Sequence, residues 1–314
     1  MKLQQLRFLC EVARQGLSVS AAAYRLHTSQ PGVSKAVRQL EQELGIEVFV
    51  RNGKRVTGVT APGRTVLEIA ERILRESANL KRAGEEFSSQ ESGTLTIATT
   101  HTQARYALPR VVKRFRARYP GVALAIHQGN PTQVSEEVLR GEADFGIATE
   151  SLANYPELVT LPCYHWNRVV VVRPRHPLLR SKPLTLEVIA EHPVVTYDFA
   201  FTGRSQTDRA FAQRGIVPTI VLTAIDADVI KSYVELGMGV GIVARMAFDP
   251  RRDRSLRAID ASHLFETSTT RLGIRAGSYL RGYAYEFIEM FATQLTRKAV
   301  EQAVMGAKGS AYEL

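Results

Sequence analysis

Four neutral donor side chains stand together in the stretch TTHTQARYALP, residues 99–109: Thr99, Thr100, Thr102 and Gln103. No Asp or Glu occurs from residue 92 to residue 135. Thr149 closes another apolar run, DFGIAT, and Thr202 with Gly203 opens a helical stretch in AFTGRS. Hydroxyls and amides donate hydrogen bonds without carrying charge. At strand ends, beside helix N-termini, they suit a small oxyanion, because free N–H groups and a partial positive charge complete the shell. A single threonine at a strand end is often only a cap or turn residue. The coincidence at three strand ends points to a pocket. Trp166, the one tryptophan, could add an indole donor to it or simply belong to a core.

A different set of residues suits a polyanion. In SVSAAAYRLHTSQPGVSKAVRQLEQELG, three alanines, Ala21 to Ala23, allow two helices to approach closely. A polar turn follows, with Ser29 or Thr28 as N-cap and Pro31 in the first helical turn. Val33, Val37, Leu40 and Leu44 are spaced four, three and four apart and so share a buried face. Gln30, Ser34, Lys35 and Arg38 are left for the other face, while Glu41 and Glu43 come late. That is the arrangement of a recognition helix for the major groove. Next, VFVRNGKRVTGVT predicts a hairpin around Asn52-Gly53, with Arg51, Lys54 and Arg55 at its tip. A basic hairpin beside such a helix is a wing suited to phosphates or the minor groove.

These residues need elements to hold them. The 314 residues suffice for two or three cores, and the net charge of +10 favours acidic partners. No apolar run approaches the roughly 20 residues of a membrane helix, and no signal peptide is evident. A cytoplasmic protein with two free thiols, Cys10 and Cys163, is expected. Residues 62–88 read as one long helix with a heptad seam of Val66, Ala70, Ile73, Ser77, Leu80, Gly84 and Phe87. Residues 93–275 alternate strands and helices, which predicts two similar, mostly parallel α/β subdomains closing on a ligand. The crossings are expected near Leu161–His165 and Phe265–Thr270. GMGVG, residues 237–241, leads into a strand and reads as a helix end, not a nucleotide loop. Cys163 and His165 lack a second ligand pair for zinc. No catalytic nucleophile and base stand out, so no catalytic, metal or cofactor site is assigned.

The run SAAAYRLHTSQPGVSKAVRQLEQELGIEVFVR, followed by VTAPG, resembles the winged helix-turn-helix of LysR-type transcriptional regulators. Gly32 departs from the pattern, since a helix former is common there. TLTIATTHTQARYALP, DFGIATE, PCYHWNRVVVV, FTGRS and VELGMGVGIVA are similar to the CysB subfamily, regulators of sulfur assimilation. The resemblance implies an all-α winged head at 1–60, a linker and dimerisation helix at 61–90, and a regulatory region at 91–314. The last would hold two Rossmann-like subdomains of periplasmic-binding-protein type, one from about 91–162 and 268–295, the other from about 163–267. It further implies DNA contacts by Thr28, Ser29, Gln30, Pro31, Ser34, Lys35, Arg38, Arg51, Lys54 and Arg55. Carried over by position, the effector residues are Thr100, Thr102, Gln103, Thr149, Trp166 and Thr202. The implied partners are double-stranded promoter DNA, sulfate or an acetylserine-like effector, and further copies of the chain as dimer and tetramer. RNA polymerase is an admissible partner; a membrane is not. A paralogue governing sulfonate or taurine use fits the same motifs, and an oxyanion-binding transport component is the more distant alternative.

Overall fold

The computed structural model describes residues 1–53, 55–88, 92–199 and 202–309, the side chains of 86–88, 202–203 and 307–309 excepted. The chain divides into two compact units, residues 1–85 and 86–314.

Three helices build the first unit: α1 (Leu3–Arg14), α2 (Val19–Arg25) and α3 (Gln30–Leu44). Ser18 Oγ accepts from the Ala21 N–H at 3.2 Å, and Ser29 Oγ accepts from the Gly32 N–H at 3.3 Å. These bonds supply partners that first-turn amides otherwise lack. Pro31 stands in the first turn of α3, and Gly45, in the left-handed region at φ 70°, ends the helix. Ala22 and Ala23 are buried among Leu9, Val33, Val37 and Leu40, but Leu44, expected on the same stripe, is exposed in the last turn, and Glu41 is buried on that helix instead. The hairpin strands β1 (Phe49–Asn52) and β2 (Arg55–Val59) pair Asn52 with Arg55. The tight loop therefore begins at Gly53, one residue later than the Asn52-Gly53 reading. Lys54 lies outside the described residues.

Helix α4 (Ala61–Ser88) starts where Thr60 Oγ1 accepts from the Gly63 N–H at 2.9 Å. A Cβ at residue 63 would stand 2.2 Å from the Val48 carbonyl oxygen, so glycine is required for this approach. The expected heptad seam divides. Ala70 is buried, and Val66 and Ile73 pack on the head's own core with Leu67 and Leu74. Leu80 is 77% exposed. The Phe87 side chain lies outside the described residues.

The second unit holds two five-stranded sheets of matching design. In the first, β3 (Gly93–Thr99) is followed by a π-helical turn (Gln103–Ala107), α5 (Leu108–Arg118), β4 (Val122–Gln128), α6 (Pro131–Arg140) and β5 (Phe145–Ala148). A 3₁₀ turn (Glu150–Asn154) leads into the long strand β6 (Leu158–Trp166). The chain then crosses at Asn167 into β7 (Arg168–Val172), α7 (Leu186–Ala190), β8 (Val194–Tyr197), α8 (Thr202–Gln213), β9 (Ile220–Ala224), α9 (Ala227–Glu235), β10 (Val240–Ala244) and β11 (Arg257–Asp260). It returns as β12 (Ser268–Arg275), then α10 (Gly282–Phe291) and α11 (Arg297–Gly309).

The strand orders are β4-β3-β5-β12-β6 and β9-β8-β10-β7-β11. In each sheet one strand runs against its neighbours, β12 in the first and β7 in the second. Each reversed strand is the one entered directly after a crossing. Residues 161–165, expected to form the first crossing, instead continue β6 as far as Trp166. Their pairing with β12 shifts register between Thr270 and Arg271, opposite Tyr164 and Pro162, so the strand is irregular there rather than interrupted. The VVVV run in β7 is buried throughout, with Val169 and Val171 in one core and Val170 and Val172 in another.

Candidate functional site

Two surfaces carry the predicted chemistry. On the head, Thr28, Ser29, Gln30, Pro31, Lys35 and Arg38 are exposed and Ser34 is half-buried. Gln30, Pro31, Ser34, Lys35 and Arg38 line one open groove together with Gln39 and Gln42. The two glutamines were missed from sequence. They follow Lys35 and Arg38 by one helical turn, so the 3.6-residue period would have found them. Lys35, Arg38 and Arg55 have no ion-pair partner among the described residues.

Arg51 requires correction. It was expected to offer its guanidinium at the hairpin tip. Instead Arg51 Nη2 donates to Glu41 Oε2 at 2.6 Å, and Nη1 donates to Glu41 Oε1 at 3.2 Å. Glu41 itself is 6% exposed and also accepts from the Val48 and Phe49 N–H groups at 2.9 and 3.1 Å. A buried carboxylate needs its charge and lone pairs satisfied. Arg51 does that, tying the wing to α3.

In the second unit the donors meet at the carboxyl ends of strands, where ligands gather in open α/β sheets. Thr100, Thr102 and Gln103 follow β3, Thr149 follows β5, and Trp166 ends β6; all five line one cavity. The other subdomain adds Tyr197, Ile225 and Ala244, each at or just after a strand end. Pro131 and His101 complete the wall. Thr202 is the first residue of α8, but its side chain lies outside the described set. Thr99 is not part of the wall: it is fully buried and donates to the Ile147 carbonyl at 2.8 Å.

Gln103 lines the cavity while already anchored. Its amide nitrogen donates to Thr270 Oγ1 at 3.0 Å, and its oxygen accepts from the Tyr164 hydroxyl. Trp166 Nε1 is different, being buried and without a hydrogen-bond partner among the described residues. The Tyr197 hydroxyl is also buried; it faces Thr102 and the backbone of Ala244 without closing a hydrogen bond of ordinary geometry. Burial raises the Tyr197 hydroxyl to about 12, so it stands as a neutral donor. Buried polar groups are nearly always satisfied, and two open donors on one wall mark a ligand position. The cavity leaves about 40 Å³ for the centres of water-sized groups. A water needs roughly 10–15 Å³ by that measure, so the enclosed space suits a few heavy atoms.

The acid-free stretch is not acid-free in space. Asp228, at the start of α9, accepts from Tyr106 at 2.6 Å and from Arg105 Nε at 3.3 Å, and lies 3.5 Å from His101 Nε2. Lys231 Nζ is 3.3 Å from the same carboxylate. Partial burial works to raise the Asp228 carboxyl, but the Tyr106 hydrogen bond and the Lys231 charge outweigh it and hold it at about 2. Burial and the Asp228 contact together push the Tyr106 hydroxyl up. Ligating atoms of His101, Asp226 and Asp228 lie within 4.8 Å of one another. The Asp228 charge is already met by Arg105 and Lys231, so the trio fits a bridge between the subdomains better than a metal. Spacing could not reveal the bridge, because Asp228 lies more than 120 residues from His101, Arg105 and Tyr106.

Residues 3–64 match the family described as bacterial regulatory helix-turn-helix protein, lysR family, and residues 88–296 match the LysR substrate binding domain. The chain is 55% identical over 300 residues to the HTH-type transcriptional regulator SsuR of Burkholderia cenocepacia, which covers 96% of this chain and 97% of that one. It is 53% identical over 314 residues to CysB of the same organism, over the whole of both chains. Against Cbl of Escherichia coli it is 47% identical over 305 residues, 97% of this chain and 96% of the other. The solved cofactor-binding domain of the Cbl transcriptional regulator superposes with a TM-score of 0.66 at 45% identity, covering 68% of this chain and 94% of that one. A full-length OxyR from Pseudomonas aeruginosa, 21% identical with a TM-score of 0.67 over 93% of this chain and 94% of its own, shares the fold.

Proposed function

The chain belongs to the LysR family of DNA-binding transcriptional regulators, and from that premise we propose that its cleft cavity holds sulfate while α3 and the hairpin read promoter DNA. It is a regulator and not an enzyme, and its relatives place it in the sulfur-related branch of the family. The head binds DNA through its helix-turn-helix, and the second unit is the small-molecule effector domain.

The buried, unpartnered Trp166 N–H in a cavity lined by Thr100, Thr102 and Thr149 carries the sulfate reading. Sulfate has acceptors in every direction and matches the room available. An acetylserine-type effector would need more of the cleft. A sulfonate is the second reading, supported by the apolar part of the wall, Pro131, Ile225 and Ala244, which can face a carbon substituent. On the head, Gln30, Ser34, Lys35 and Arg38 are the base and phosphate contacts in this reading. Thr28, Ser29 and Pro31 support the helix start, and Arg55 meets the backbone. We read residues 1–60 as the DNA-binding domain, 61–90 as the linker and 91–314 as the regulatory domain. The bare Leu80 on α4 supports self-association as a dimer, with a tetramer and contact with RNA polymerase as further steps in the cytoplasm.

Two titrations test this. Sulfate added to the full-length protein should change the emission of its only tryptophan, Trp166, saturably. A promoter fragment should be retarded on a gel, with the retardation altered by sulfate and weakened by Lys35→Ala. Emission that ignores sulfate sinks the cavity reading. Retardation that ignores Lys35→Ala sinks the reading of α3.

A further inference from the structure

Arg168 is a buried cation with no carboxylate in ion-pair distance among the described residues. It is 2% exposed. Its guanidinium donates to the Glu266 carbonyl at 3.1 Å, to Gln206 Oε1 at 2.8 Å and to Ser268 Oγ at 3.1 Å, all uncharged acceptors. The Glu150 and Glu266 carboxylates bias it only from further off. Glu150 accepts from the Thr269 N–H through Oε1 and leaves Oε2 buried without a hydrogen-bond partner among the described residues, and Glu266 reaches toward Arg209 at 4.0 Å on the surface. Buried charges are ordinarily paired, because an isolated one is costly to desolvate. Burial duly lowers the affinity of this guanidinium for its proton, though arginine stays charged.

Its surroundings say what the charge is for. The guanidinium carbon lies 5.1 Å from the centre of the Trp166 ring. Ala244, another cavity residue, is the strand partner of Arg168 across β7 and β10. The Tyr197 hydroxyl feels the same charge. Two wall residues, Trp166 and Ala244, therefore stand directly against Arg168, and Tyr197 lies within reach of its charge, while Arg168 itself does not line the cavity. Its hydrogen bonds to Glu266 and Ser268 also join the outgoing crossing at Asn167 to the returning one. We propose that Arg168 is the specificity-determining countercharge of the cavity: it positions Trp166 and selects a fully ionised tetrahedral oxyanion over a neutral or zwitterionic ligand. The inference rests on the oxyanion reading above. It also answers how a wall of uncharged donors can prefer charge. The donors set the shape, and the positive potential comes from the layer behind them.

The test uses the full-length protein and three probes of one shape and graded charge: sulfate, methanesulfonate and dimethyl sulfone. Calorimetry on the wild type should give affinities that fall in that order. Arg168→Gln should weaken sulfate by about tenfold or more, as a unit charge in a partly screened interior implies, and leave dimethyl sulfone within about twofold. Arg168→Lys should restore much of the preference. Equal weakening of all three probes by Arg168→Gln would mean that the residue only supports the fold, and would overturn the proposal. So would sulfate binding that Arg168→Gln leaves unchanged. If Arg168→Gln does not fold, the wild-type series decides: dimethyl sulfone bound as tightly as sulfate overturns the proposal, and a steep fall upholds it together with Arg168→Lys. A wild type that binds none of the three removes the oxyanion reading itself, and this inference with it.

Discussion

The head groove and the cleft cavity are both built to receive anions, on opposite terms. Lys35, Arg38 and Arg55 stand exposed and unpaired among the described residues, while Arg51 is held by Glu41. The cavity wall offers hydroxyls and an indole N–H, and its cations lie behind the surface or are bridged to Asp228. An exposed cation gains from displaced counterions and loses its grip as salt rises. A buried neutral donor pays no such penalty and discriminates by geometry. Duplex DNA is a long, regular array of charge, so mobile cations suffice. A small anion must be told apart from chloride and phosphate, which needs a rigid shell.

The sharpest way to break this comparison is at Glu41, where the head keeps a buried charge network. Glu41→Ala leaves Arg51 half-buried without its partner and two backbone N–H groups unsatisfied. Removing one partner of a buried pair costs about 3–5 kcal/mol. The head should melt well below the rest of the protein, with DNA binding lost and sulfate binding retained. Arg51→Ala should act in the same direction. Arg51→Ala that lowered DNA affinity without shifting the head's melting would return that arginine to the DNA surface.

Next comes Trp166→Phe, which keeps a ring and removes the open donor. A hydrogen bond to a charged group is worth about 1.5–3 kcal/mol, so sulfate affinity should fall by roughly 10- to 100-fold. The affinity of the ligand-free protein for promoter DNA should stay as it was. Lys35→Ala is the reciprocal case. It should leave sulfate binding intact and lower the slope of log affinity for DNA against log salt by about one. Potassium chloride separates the two sites in a single protein: DNA binding should fall steeply along the series, and sulfate binding only shallowly.

The same contrast explains what could be read from the amino-acid order. The head is local. Its cap at Ser29, its stripe at Val33, Val37 and Leu40, and its basic hairpin all lie within about thirty residues, where helical period and turn chemistry operate. Arg51 escaped because its partner Glu41 was read only as an acid late in the helix, and nothing in the spacing says that such a glutamate turns inward. Of the cavity, sequence yields the segments that begin it, Thr100 to Gln103 and Thr149. Tyr197, Ile225 and Ala244 come from three strand ends spread over the other subdomain. Strand ends converge only once the carboxyl edges of two sheets of matching order meet, which is a property of topology. Arg168, hidden at the start of a valine run, reads in sequence as an ordinary strand edge.

Asp228 gives the smallest effect and the most direct check on whether charge in the cleft is paired rather than free. Its carboxyl is held at about 2, below its ordinary 3.8. A depressed carboxyl stabilises the folded form fully above its unfolded value, and that stability is lost as pH falls through the folded one. The window therefore runs from about pH 4 down to about pH 2. The carboxylate is 40% exposed, so solvent screening holds the contribution to about 1 kcal/mol. Asp228→Asn should melt slightly earlier than wild type at pH 6, by a degree or a few on the order expected for that energy. The gap should close as the pH approaches 2, because the wild-type aspartate then carries no charge either. A gap of constant size across the series would mean that Asp228 acts through its shape and hydrogen bonds alone. Arg105 would then be a cation without a counterion among the described residues, and that part of the cleft would resemble the head after all.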